Sequence, residues 1–242
     1  MNDLRNSQGE RLDHHFHPGT RRESLVILAH GLTGNKDRPL LVALAEGLSA
    51  IGWPCLRISF SGNGDSQGRF EDSNITKQIG DLKAVLDTVP DYVSIAYVGH
   101  SMGSATGVLT AAEDLRIQTL ISLAGMTHVA AFAEREFAGL VAGKDCIWED
   151  PSFPLSESLI DDMKSIGSVL PAVEKLLQPW LIIHGLADDV VPVADSRDAR
   201  AAARSRCEML EIPDAGHVFG VDSYPAIIAA TDSWLRGWFG GE

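Results

Sequence analysis

The chain of 242 residues predicts an α/β fold: a mostly parallel central sheet flanked by helices on both faces. Three observations lead there. Short apolar runs such as Leu25-Val26-Ile27-Leu28-Ala29 are continuous rather than alternating, as strands buried on both faces are. Longer stretches between them repeat apolar residues at helical spacing. The two kinds alternate along most of the chain, and repeated strand–helix–strand units imply parallel pairing with helical crossovers.

The elements follow in order. After the strand at 25–29, residues 39–51 space Leu40, Leu41, Leu44 and Leu48 along one helical face, and Gly52 stops them. Residues 55–60 return to strand. Residues 74–89 are helical, with Ile75, Ile79, Leu82 and Leu86 on one side. A strand is expected at 92–98, a helix at 104–112 and a strand at 119–123. Strands at 180–184 and 207–212 bracket a helix at 195–204. Ser223 is expected to cap the last helix, with Pro225 in its first turn. Near the N-terminus, Gln8-Gly9-Glu10 sits between two short candidate strands, as in a hairpin at a sheet edge.

Residues 126–178 break the rhythm. Phe132, Phe137, Trp148, Phe153 and Leu155 are scattered among polar residues, punctuated by Pro151 and Pro154. The expectation is one domain over 1–242, with 126–178 as a cap inserted within it. Phe132, Phe137 and Trp148 are its candidate substrate-binding residues.

Composition narrows the function. Twenty Lys and Arg against 33 Asp and Glu give a net charge of −13, which disfavours nucleic acid as a partner. No apolar run approaches the ~18 residues of a membrane span. The first residues lack the apolar core of a signal peptide. Cys55, Cys146 and Cys207 are widely spaced and odd in number, which suggests neither a disulfide framework nor a metal site. A reducing, cytoplasmic setting is expected. His14, His15 and His17 cluster without a recognisable carboxylate or cysteine ligand, so no metal is expected there.

The pattern G-x-S-x-G occurs twice, at Gly64-Asp65-Ser66-Gln67-Gly68 and at Gly99-His100-Ser101-Met102-Gly103. A nucleophile elbow must turn sharply from a buried strand into a helix, with glycines relieving the crowding. Ser101 lies between an expected strand and an expected helix. Ser66 lies among polar turn residues. Ser101 is therefore the candidate nucleophile.

A serine hydroxyl needs a base to take its proton, and the base needs an orienting carboxylate. His217 follows the last expected strand, and Asp188 follows the strand before it. Both fall at carboxyl ends of strands, on the sheet edge where Ser101 emerges. The chain order Ser, Asp, His is that of the elbow motif. Asp189 is the rival acid; Asp188 is preferred, though adjacency alone leaves the choice open. The developing oxyanion needs two donors. The Met102 amide is one candidate. The Leu32 amide, in His30-Gly31-Leu32-Thr33-Gly34 after the first parallel strand, is the other. His30 itself reads as structural, and the glycine run 62–68 as a turn.

With these segments in hand, the chain resembles the α/β-hydrolase family over roughly residues 24–238. Within it, the chain is most similar to the cinnamoyl/feruloyl esterase and monoacylglycerol-lipase-like branch. His30-Gly31-Leu32-Thr33-Gly34-Asn35-Lys36 and the loop ending Gly68-Arg69-Phe70-Glu71-Asp72 carry that similarity. Relatives often have Asp-Phe-x-Gly-His-Gly where this chain has Ser59-Phe60-Ser61-Gly62-Asn63-Gly64. The resemblance implies carboxylic ester hydrolysis of a small molecule under a cap, and chemistry that uses only side chains and amides needs no cofactor. The same triad would serve a thioesterase, lipase or serine peptidase. The fold also supports non-catalytic ligand-binding receptors. The sequence leaves the oligomeric state open.

Overall fold

A computed structural model describes residues 3–240. Among the described residues, seven strands form one sheet in the order β1-β3-β2-β4-β5-β6-β7. They are β1 (His14–His17), β2 (Ser24–Ala29), β3 (Cys55–Ile58), β4 (Ser94–His100), β5 (Ile117–Leu123), β6 (Trp180–Gly185) and β7 (Cys207–Ile212). Only β1 is antiparallel, at the edge against β3; the others pair in parallel. The interior strands are buried on both faces, which is why β2 reads as a continuous apolar run.

The helices are α1 (Pro39–Ala50), α2 (Ile75–Leu86), α3 (Met102–Ala111), α4 (Val129–Glu136), α5 (Glu157–Ile166), α6 (Leu170–Val173), α7 (Val193–Ala202) and α8 (Tyr224–Phe239). Two apolar clusters fill the two faces of the sheet. One includes Leu56, Leu82, Val85, Tyr97 and Val108; the other includes Leu44, Leu48, Trp53, Ile227 and Leu235. Such burial, at ~25 cal/mol per Å² of apolar surface, is the main drive to this arrangement. Asn74 caps α2, its side chain accepting the Lys77 N–H at 2.8 Å.

Several expectations change in detail. Tyr92 belongs to an exposed turn before β4 rather than to the strand. Ser223 does not cap α8 with its side chain: it closes a 3-10 turn that runs into the helix, while Pro225 occupies the first helical turn. The N-terminal hairpin turn forms, with Asn6 N–H donating to Glu10 O at 3.0 Å. Its arms pair antiparallel in a bridge at Arg5 and Arg11, where Leu12 N–H donates to Leu4 O at 2.8 Å, and the edge strand follows as β1.

The segment 126–178 holds α4, α5 and α6, where the sequence shows no clear alternation. Asp195 on α7 anchors its start by accepting the N–H groups of Thr127 and His128 at 2.8 and 2.9 Å. Its apolar residues Val129, Phe132, Phe137, Leu155, Leu159 and Met163 join the cluster on one face of the sheet. Residues 147–153 form a tight turn closed by Ile147 N–H to Phe153 O at 2.8 Å, with Trp148 and Glu149 in the left-handed region.

Among the described residues no helix is long and apolar enough to cross a membrane. Nor do three or more His, Cys, Asp or Glu side chains gather as a metal site. His17 Nε2 accepts from buried Arg57 Nε at 2.9 Å.

Candidate active site

Parallel pairing brings the carboxyl ends of β2, β4, β6 and β7 to one edge of the sheet. Ser101 directly follows β4 and precedes α3. Its φ of 54° and ψ of −121° are unusual for a residue with a side chain. The sharp turn requires the flanking glycines. A Cβ on Gly103 would lie 2.3 Å from the His30 carbonyl oxygen, and one on Gly99 would lie 2.5 Å from the Gly103 oxygen. A Cβ on Gly31 would meet the Ser101 Cβ at 2.7 Å. The Ser101 N–H donates to Leu123 O at 2.9 Å, fixing the turn to β5.

Beyond β7, His217 Nδ1 lies 2.9 Å from Asp188 Oδ2 in the loop after β6. A nitrogen facing a carboxylate carries the proton, so Nδ1–H donates, and in the neutral ring Nε2 keeps its lone pair. Asp188 is the residue in contact with His217; its neighbour Asp189 lines the cavity wall instead. The other Asp188 oxygen accepts the Val190 and Val191 N–H groups, both at 2.9 Å. Fully buried His184 completes the shell. Its Nε2 is 3.1 Å from Asp188 Oδ2 and 3.0 Å from Val191 O, and its Nδ1 is 2.6 Å from Ser196 Oγ. Nε2 faces two oxygens that carry no hydrogen, so it is the protonated nitrogen, and the Ser196 hydroxyl donates to Nδ1. Burial pushes the Asp188 carboxyl upward, but the hydrogen bonds from His184, His217 and Val191 outweigh it and hold the group well below the usual carboxylate range.

Ser101 and His217 line one cavity of about 760 Å³. The hydrogen bonds of His217 run to Asp188 and, through its carbonyl, to His100. Among the described residues none joins it to Ser101 Oγ; in unliganded sites this bond is often long and tightens with substrate. The Leu32 and Met102 amides have no acceptor among the described residues. Met102 is the first residue of α3, where helix N–H groups are free and the dipole favours an anion. Leu32 also lines the cavity.

His30 is a buried strut. Its Nδ1 bonds Gly31 O at 2.8 Å, and its Nε2 accepts the Phe60 N–H at 3.0 Å. Burial lowers its pKa to about 4. Ser66, the second motif serine, is tied to Asp13 N and Ser59 O, both at 2.8 Å, outside the cavity.

Of the three aromatics expected to bind substrate, only Trp148 lines the cavity. Phe132 and Phe137 are 3% and 6% exposed and pack on each other with ring centres 6.2 Å apart. They face the sheet cluster, because α4 turns its apolar side inward. The wall is built instead from Arg38 and the start of α1 (Pro39, Leu40, Leu41), from Val218, Phe219 and Tyr224, and from Phe153. The signal for most of these is nearness in sequence to Leu32 and His217, not aromatic content.

A family model described as the alpha/beta hydrolase fold matches residues 24–145. The chain belongs to the α/β-hydrolase family. Among its relatives is Esterase LipC of Mycobacterium tuberculosis, 29% identical over 200 residues, covering 73% of this chain and 48% of the relative. Another is the mitochondrial palmitoyl-protein thioesterase ABHD10 of Homo sapiens, 26% identical over 183 residues, covering 69% and 58%. The chain thus spans about half the length of the esterase it matches. The ferulic-acid-bound structure of Est1E from Butyrivibrio proteoclasticus superposes with a TM-score of 0.85 at 25% identity, covering 100% of both chains. The alpha/beta hydrolase domain-containing protein 10 from mouse shares the fold, with a TM-score of 0.80 at 20% identity and 98% of each chain covered. These neighbours put the chain in an esterase-like branch of the α/β-hydrolases.

Proposed function

We propose that the protein is a serine hydrolase that cleaves carboxylic esters of small molecules through an acyl-enzyme. The observation that carries this reading is the 2.9 Å contact of His217 Nδ1 with Asp188, facing the same cavity as the strained elbow serine. In this reading His217 Nε2 takes the Ser101 hydroxyl proton while Oγ attacks the ester carbonyl carbon. The oxyanion of the tetrahedral intermediate accepts from the Leu32 and Met102 amides; removing one such donor typically costs ~10²–10³ in rate. His217 returns the proton to the departing alcohol. Water then attacks the acyl carbon with the same base, and Ser101 is released. Asp188 holds the histidine tautomer and stabilises the imidazolium. No metal or organic cofactor enters these steps.

The turn 147–153 acts as the working part of a cap inserted at 126–178, because it brings Trp148 and Phe153 to the cavity. The mostly apolar wall supports esters with an apolar acyl or aryl group. A thioester leaving group is the second reading, favoured by the thioesterase relative.

Purified protein should hydrolyse p-nitrophenyl butyrate and react stoichiometrically with a fluorophosphonate at Ser101. Ser101→Ala should lose both while keeping the far-UV spectrum. A Ser101→Ala protein that turns over at the wild-type rate ends this assignment. Parallel assays on methyl hydroxycinnamates and on acyl-thioesters of matched chain length rank the two leaving groups.

A further inference from the structure

His217 sits in a loop that its own chain anchors mainly on the acid side. Gly185 abuts Ala215, the Ala187 N–H donates to Ala215 O at 3.0 Å, and Asp188 holds the imidazole. The loop is bent by two left-handed residues, Asp214 and Phe219, with φ of 58° and 51°. On the nucleophile side, one hydrogen bond ties this loop to β4 among the described residues. It runs from His100 Nε2 to the His217 carbonyl at 2.9 Å. The two rings also pack, with centres 4.9 Å apart and planes at 45°.

Resting on the serine-hydrolase reading above, we propose that His100 is a positioning residue that sets the general base at its working distance from the nucleophile. His100 immediately precedes Ser101, so the strand end that carries the nucleophile also grips the base. Little backbone separates the two, and displacement of one is shared by the other. The carbonyl acceptor requires hydrogen on Nε2. Burial, reinforced by the neighbouring His217 charge, lowers the His100 pKa to about 3, so the ring stays neutral over the pH range of ester hydrolysis. A neutral ring can lie against an imidazolium without adding a second full positive charge. Asp188 supplies orientation through the imidazole, and His100 supplies placement through the main chain of the same residue. The remaining charged groups lining the cavity are Arg38, Asp150 and Asp189.

The test uses the full chain with p-nitrophenyl butyrate and a fluorophosphonate. His100→Phe keeps a ring and loses the donor. His100→Gln puts an amide N–H near the Nε2 position, and His100→Asn has an amide too short to reach. Misplacing a catalytic group by about 1 Å can cost ~10²-fold, so kcat of His100→Phe and His100→Asn should fall by ~10- to 100-fold with KM nearly unchanged. The labelling rate should fall in parallel, and His100→Gln should recover most of both. A purely packing role would lower thermal stability in all three without this ranking. Wild-type kcat in His100→Phe, a rise in KM alone, or equal losses in the Gln and Asn variants would each overturn the proposal. If His100→Phe does not fold, the Gln and Asn pair carries the test. Wild-type protein that neither hydrolyses the ester nor labels would instead fail the serine-hydrolase reading. Activity that is lost in Ser101→Ala but intact in His100→Phe would fail only the positioning role.

Discussion

His184 Nε2 stands 3.1 Å from the Asp188 oxygen that also meets His217 Nδ1. The acid is thus held from the side away from the cavity as well as from the side facing it. Its depressed pKa has a defined consequence. A carboxylate lowered on folding adds stability above its unfolded pKa of ~3.9, and that stability is lost only as pH falls through the lower folded value. Protonation of Asp188 therefore does not limit activity above about pH 4. Replacing it does. Asp188→Asn should keep the fold but favour the wrong histidine tautomer, lowering kcat by ~10³- to 10⁴-fold. Asp189→Asn, on the cavity wall, should change kcat by less than ~10-fold. Steady-state kinetics on both variants decide the matter; the opposite ranking would move the acid to Asp189.

The sheet and the motif residues were legible because their signals are local. Continuous apolar runs mark buried strands, and a serine between two glycines after such a run marks an elbow. Asp188 is preferred over Asp189 in the sequence, but adjacency alone does not settle the choice, because their difference is the direction each takes in one reversing loop. The 126–178 segment was harder because its helices are short. A signal for α5 was nonetheless present. Ser156 caps it by accepting the Leu159 N–H at 3.1 Å, Leu159 and Met163 repeat at helical spacing, and Gly167 ends it with φ of 67°. Phe132 and Trp148 look alike as letters, yet one faces the sheet and the other the cavity. The bond from His100 joins residues 117 apart in the chain, beyond any local pattern.

His30 and His100 should make the fold acid-sensitive. Burial lowers His30 to about 4 and His100 to about 3. Both start from an unfolded value of ~6.5. Between those values the unfolded chain binds more protons, so stability falls as pH falls from ~6.5 and is lost by the folded pKa. For His30 alone the loss is on the order of 3 kcal/mol. His30→Gln can still accept the Phe60 N–H but does not titrate. Its urea midpoint should fall less than that of wild type between about pH 7 and about pH 5. An unchanged slope would mean that His30 does not carry this sensitivity.

The elbow geometry predicts a trade between stability and activity. Ser101 holds a backbone conformation that suits glycine better than any residue with a Cβ. Ser101→Gly removes the proposed nucleophile and the strain together. It should abolish hydrolysis while raising the unfolding free energy by ~1 kcal/mol, the strain relieved exceeding the added chain entropy. Ser101→Ala should lose activity without that gain. Urea denaturation of the two variants side by side provides the comparison, and equal stabilities would argue against strain at this turn.

The cavity boundary makes the last contrast. Trp148 is 49% exposed and lines the cavity, whereas Phe132 is 3% exposed and packs under the sheet. Trp148→Ala removes apolar wall that a bulky ester would cover and a small one would not reach. Its KM for a methyl hydroxycinnamate should rise ~5-fold or more, about 1 kcal/mol of lost contact, with p-nitrophenyl acetate little changed. Phe132→Ala instead empties a packed site and should cost ~3–5 kcal/mol of stability, leaving KM for both esters unchanged wherever the protein remains folded. The two substitutions therefore separate along different axes, one in substrate affinity and the other in denaturant midpoint. A Phe132→Ala protein of wild-type stability with a raised KM would put that ring in the substrate path, because a residue buried against the sheet cannot change affinity without first changing its packing.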